Sequence, residues 1–235
     1  MSLPLLAFAI ACGLAAVHLF VGAMRFLDGV PRSRWLSAAG GASTAYIFLH
    51  LLPDLAAAHH RDGAESEVRY FLIALAGLVA FYGVERRVRL SRKETEEEEH
   101  GPGVFWLHVG SFATYSLIIG YLLLHREESG TLSLLLYGGA MALHFLSSDY
   151  GMRLEHRDRY DRTARWVLAA GVMLGWLIGW LVEIPRPMVD ALFAFLAGGV
   201  VLNVMKEELP EERKSRFGAF VFGATIYGAL LVAVQ

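Results

Sequence analysis

Eight long apolar blocks divide this chain, each close to the roughly 20 residues that carry an α-helix across the hydrocarbon core of a bilayer. That pattern leaves few folds open. Lipid offers no hydrogen-bonding partner to an open backbone, so only helices and closed barrels can span it. A barrel would show alternating segments of about ten residues, whereas these blocks are apolar throughout. The spacing predicts helical spans at 3–25, 34–56, 68–84, 104–124, 131–152, 164–183, 188–206 and 217–234. The chain is 55% hydrophobic and only 19% charged over 235 residues, too little polar surface for a soluble domain of this length. It is expected to form one all-α integral membrane domain over 1–235. No positive residue precedes the first apolar run, MSLPLLAFAIAC, so that run is expected to be a retained span rather than a cleaved leader.

The basic residues orient the spans. With the N-terminus outside, seventeen Lys and Arg fall in inner loops and four in outer loops. The positive-inside rule then puts both termini outside. The net charge of −2 gives no bulk argument for nucleic-acid binding. The single cysteine, Cys12, rules out an internal disulfide framework and a cysteine-based zinc site; it is expected to pack as a small apolar residue. Residues 89–103, which include KETEEEEH, read as a charged, flexible cytoplasmic loop. A metal-collecting role for Glu96, Glu97, Glu98, Glu99 and His100 is the alternative.

An internal repeat relates two spans. GGASTAYIFLHLLPDL (40–55) resembles AGGVVLNVMKEELPEE (197–212), aligning Gly41 with Gly198 and Pro53 with Pro210. The second span runs outward and the seventh inward, so the halves are inverted, as in many secondary transporters. Gly171, Gly175 and Gly179 give the sixth span a smooth face for close helix approach.

Ionisable groups inside a membrane are costly, so each marks a candidate site. The embedded ones are His18, His50, His108, His144, Asp149 and Asp54, with Asp54 near the outer end. On the fifth span His144 and Ser148 share a face, while Asp149 is offset by about 140° from His144. Imidazole and carboxylate together suit zinc, manganese or iron if a neighbouring helix completes the site. The bland alternative is a neutral histidine bonded across a helix interface, with Asp149 near the inner headgroups. On the fourth span His108 sits near the inner end, and Ser111, Thr114, Tyr115 and Ser116 form a weakly polar stripe. His50 and Asp54 sit four apart at the outer end of the second span, followed by His59, His60, Asp62, Glu65 and Glu67. These would serve either as a cation entrance or as an interfacial cap. Metal contact is thus expected at His144, Asp149 and His108, and a pathway along Ser111, Tyr115, Ser148, His50 and Asp54.

FLHLLPD at 48–54 and AGGVVLNVMKEELPE at 197–211 resemble phrases of the ZIP family of divalent-metal transporters. The family's eight spans, outside termini and variable loop between the third and fourth spans match the organisation above. The resemblance implies an inverted-repeat bundle carrying zinc or a similar cation as cargo. Departures are equally plain. In the family's HNxxDG register of the fourth span this chain has Ser111, Phe112 and Tyr115. In the HExPHE register of the fifth it has His144, Phe145, Ser147, Ser148 and Asp149. The sixth span, 164–181, carries no carboxylate. The expected site is therefore reduced to a single weak ion.

These residues leave three functions open. One is a ZIP-like metal carrier; a second is a ZIP-like fold that has lost transport and plays a structural or interaction role; a third is a carrier of another ion or polar solute. No enzymatic activity is expected, because no nucleophile, base and oxyanion site come together. No resident cofactor is expected. The expected partners are the bilayer (a bacterial inner membrane, from the short loops), a metal ion as cargo and a second copy of the chain.

Overall fold

The computed structural model describes residues 2–27, 33–62, 68–94, 102–126, 130–208 and 216–233. All of its regular structure is helical: α1 (Leu3–Phe20), α2 (Arg34–Tyr46), α3 (Leu52–Asp62), α4 (Arg69–Glu94), α5 (Pro102–His125), α6 (Thr131–Glu155), α7 (Arg157–Arg159), α8 (Arg165–Leu181), α9 (Arg186–Glu208) and α10 (Phe217–Val232). Short 3₁₀ turns at Val21–Ala23 and Arg25–Leu27 follow α1. Two π-helical turns, Ile47–Leu51 and Tyr160–Ala164, weld α2 to α3 and α7 to α8. The described residues thus form eight continuous rods. Five stretches, Leu3–Ala23, Gly103–His125, Thr131–Glu155, Arg157–Leu181 and Arg186–Lys206, are long and apolar enough to cross a membrane; Phe217–Val232 is apolar but shorter. Large apolar side chains such as Phe8, Phe48, Leu72, Trp180 and Phe222 face outward. The protein is an all-α integral membrane protein.

Local chemistry sets the breaks. Ser33 caps α2, its hydroxyl accepting from the Trp35 N–H at 3.3 Å. The first π turn ends two residues before Pro53, which has no N–H to donate and whose ring would clash with the carbonyl four residues back, inside that turn. A wider turn there lets the rod continue. Between α5 and α6, Arg126 donates to Leu123 O (2.8 Å) and Gly130 O (2.6 Å), and Gly130 turns the chain at φ +126°. Helix α4 runs ten residues past the expected end of its span, so 89–94 is helix rather than loop. Arg, Lys and Glu are good helix formers and carry the rod into water. The acidic run at 96–100 lies outside the described residues.

Cys12 is exposed rather than packed. The buried face of α1 is Ala7, Ala11, Leu14, Ala15 and His18, and Cys12 falls off it.

The rods can be taken as two groups, with α2 also packed closely against α6 across the boundary. Helices α1, α5, α6 and α8 form one; α2 with α3, α4, α9 and α10 form the other. The closest pairs are α5 with α8, α2 with α10, and α4 with α9. Each is held by reciprocal glycines with no room for a side chain. A Cβ on Gly41 would collide with Phe220 O and one on Gly223 with Ala38 O; likewise Gly198 meets Ala74 O and Gly77 meets Phe195 O. Gly120 meets Val172 O and Gly175 meets Leu117 O. The expected glycine face of α8 is real: Gly171, Gly175 and Gly179 meet Ala113, Leu117 and Tyr121 in ascending order. That order makes α5 and α8 parallel. Ala38 against Gly223 and Ala45 against Gly228 do the same for α2 and α10. So do Gly77 against Phe195 and Glu85 against Lys206 for α4 and α9.

Candidate functional site

A small cavity whose lining includes several polar residues lies on the seam between the two groups. Gly40 and Ser43 of α2, His144, Ser147 and Ser148 of α6, and Asn203 and Val204 of α9 line it. The residues from α6 fall at i, i+3 and i+4 and so share one helical face. The space available to the centre of a water-sized molecule is about 10 Å³, close to a single occupant. Ser43 (3% exposed), His144 (2%) and Asn203 (5%) are buried. Yet Ser43 Oγ, His144 Nε2 and Asn203 Nδ2 find no hydrogen-bond partner among the described residues. Leaving a buried donor or acceptor unmade costs about 1–3 kcal/mol. Three such atoms around one cavity mark a place built to hold something polar.

The neighbouring expected residues have other engagements. Ser148 Oγ donates to His144 O at 2.9 Å within its own helix. The Tyr115 ring packs 5.5 Å from the His144 ring, and its hydroxyl donates to Leu196 O across the seam at 3.2 Å. Ser111 Oγ donates to His108 O at 2.7 Å. His50 Nε2 lies 3.5 Å from Asp54 Oδ2, and the His50 ring packs 4.9 Å from that of Tyr46. The side chains of His59, His60, Asp62, Glu65 and Glu67 lie outside the described residues.

Asp149 does not line the cavity. Its 140° offset from His144 turns it toward α1 and the foot of α8. There Oδ2 accepts from His18 Nδ1 at 2.5 Å and from Tyr160 O–H at 2.7 Å. His18 Nε2 lies 3.4 Å from Ser116 Oγ. Asp149 and His18 are 0% and 1% exposed. One buried carboxylate thereby ties α1 and α6 to the π turn at Tyr160, and His18 extends the tie to α5. His144 remains within electrostatic range of this pair; Asp149 Oδ2 is taken by His18 and Tyr160, while the buried Oδ1 makes no hydrogen bond among the described residues.

His108 stands apart from both. Its Nδ1 is 3.2 Å from His156 Nε2 and 3.7 Å from Glu155 Oε2. The three expected metal ligands therefore sit in three surroundings, and only His144 faces the cavity. The sequence reading singled out neither Ser43 nor Asn203 nor Tyr160, and it placed Glu155 and His156 in a loop. Asn203 carried a usable signal, as an amide within an otherwise apolar stretch of the seventh span. Compared with protein-family models, curated proteins and solved structures, the chain finds no match.

Proposed function

We propose that the protein is a ZIP-like carrier of a divalent transition-metal ion, with His144 as the protein ligand at a single occluded position on the seam. The carrying observation is the cavity beside which His144 Nε2 and Ser43 Oγ, two atoms with lone pairs to offer, are buried without partners. Imidazole nitrogen is a good ligand for zinc-like ions, and hydroxyl and amide oxygens are weak ones. With no carboxylate on the cavity wall, affinity is low and one ion is held at a time.

The helix directions support eight crossings with both termini on one side, which the distribution of Lys and Arg puts outside. In such a chain the second and eighth, third and seventh, and fourth and sixth spans run parallel. Those are the pairs that the glycines bring together. The inverted repeat is supported by the same contacts. Exchanging α2 for α9 and α4 for α10 turns the Gly41–Gly223 pairing into the Gly198–Gly77 pairing. The ion would cross as one helix group rocks against the other. The short loops fit a bacterial inner membrane.

Uptake of zinc or cobalt into vesicles holding the purified protein tests this reading. His144→Ala is expected to lower uptake at least tenfold; unchanged uptake removes His144 from the pathway. A second reading, a ZIP-like fold that no longer moves metal or that moves another solute, is favoured by one observation. Asp149, the embedded acid nearest the family's ligand positions, is engaged by His18 and Tyr160. On that reading wild-type vesicles take up no metal.

A further inference from the structure

We propose that His108, Glu155 and His156 form a second divalent-metal site, at the inner end of the α5–α6 pair, with Lys206 as a tethered cation that holds it in the metal-free state. The donor atoms of these three residues all lie within 4.8 Å of one another. Tetrahedral zinc, with ligand distances of about 2.0–2.1 Å, sets its ligands about 3.3 Å apart. The observed separations of 3.2 Å (His108 Nδ1 to His156 Nε2) and 3.7 Å (His108 Nδ1 to Glu155 Oε2) bracket that edge. Small rotamer shifts would close the remainder. His108 is 1% and His156 3% exposed, so the donors are already desolvated and held by packing. The Phe105 ring lies 5.4 Å from the His156 ring and the Phe112 ring 5.2 Å from the His108 ring, which fixes both imidazoles.

Two neutral imidazoles and one carboxylate are the donor set of a borderline ion such as zinc or cobalt. Magnesium and calcium prefer all-oxygen shells. Three protein ligands leave a fourth position for water or for an arriving donor.

Lys206 supplies the positive charge in the ion's absence. Its Nζ is 3.5 Å from Glu155 Oε1 and 2.5 Å from Glu85 Oε2, and Arg89 Nε is 2.9 Å from Glu85 Oε1. The lysine leans toward Glu85, which keeps it paired when a metal takes Glu155. The three ligands belong to one helix group; Lys206 and Glu85 belong to the other. Metal capture at this site therefore weakens a bond across the seam.

The test is a cobalt and zinc titration of the full-length protein in detergent, read by cobalt visible absorption and by calorimetric stoichiometry. A tetrahedral cobalt spectrum is expected, lost or weakened at least tenfold in Glu155→Gln and in His156→Ala. Lys206→Met is expected to tighten binding about tenfold. Where that variant fails to fold, Lys206→Gln serves the same purpose. A cobalt signal that survives in His156→Ala but vanishes in His144→Ala overturns this site and leaves the central cavity as the metal position. A signal that vanishes in His156→Ala while zinc uptake fails in the wild type upholds this site and removes the transport reading. Equal competition by magnesium, or affinity unmoved by either Lys206 variant, overturns the ligand set or the tethered cation respectively.

Discussion

Asp149 shows what a membrane interior asks of a charged side chain. A carboxylate taken out of water is tolerable only when paired and hydrogen-bonded, and His18 and Tyr160 supply both bonds. Removing one partner of a buried pair typically costs about 3–5 kcal/mol. His18→Ala is accordingly expected to lower the thermal midpoint in detergent more than Asp149→Asn, which removes the charge and keeps an oxygen that can accept from His18 and Tyr160. An equal effect of the two would show that His18 matters only by filling space. Glu85, in the C-terminal half of α4, carries a pH dependence. Burial opposes its ionisation, but Lys206 and Arg89 outweigh burial and hold its carboxyl below the usual glutamate range. A carboxyl depressed on folding stabilises fully above its ordinary pKa and loses that contribution as pH falls through the folded value. Thermal stability is expected to be flat through neutral pH and to drop below about pH 4.5, with a smaller drop in Glu85→Gln. A full-sized acid drop in that variant would move the effect to other carboxylates.

Helix pairs are where sequence said most and least. The apolar blocks and the Gly41–Gly198 correspondence were legible because hydropathy and small-residue spacing are properties of one segment. Which helix each glycine meets was not legible, since that depends on the partner's carbonyl. The wider turn before Pro53 followed from the proline's missing donor once its position inside a continuing rod was known. Nothing in YDRTA announced the second π turn, which brings Tyr160 to Asp149. The same limit hid the bond between His18 and Asp149, 131 positions apart. It also hid Glu155 and His156, whose charged surroundings read as loop. Overpacking a tight seam costs about 1–3 kcal/mol. Gly41→Val and Gly198→Val are each expected to lower stability by that amount, and by similar amounts as counterparts. Gly13 has nothing within 4 Å of a built Cβ, so Gly13→Ala is expected to be neutral or to gain up to about 1 kcal/mol. Melting curves of the three variants, compared side by side, check this.

At the scale of the whole molecule, the eight rods and their parallel pairing make a prediction about sidedness. In a background of Cys12→Ala, single cysteines placed at Ser2 and at Ala233 are both expected to react with an impermeant thiol reagent from outside. Labelling from opposite sides would dissolve the eight-crossing arrangement and the inverted halves together. The glycine contacts carry one more consequence. All of the described glycine-to-carbonyl approaches fall inside a helix group. Bonds between the groups are of another kind: Tyr115 to Leu196 O, Tyr227 to Leu136 O, and Lys206 to Glu155. A body assembled this way is stiff within each interlocked pair and joined between the groups by side chains. Side-chain latches can exchange partners while the interlocked backbones keep their shape, so relative movement is expected between pairs and not within them.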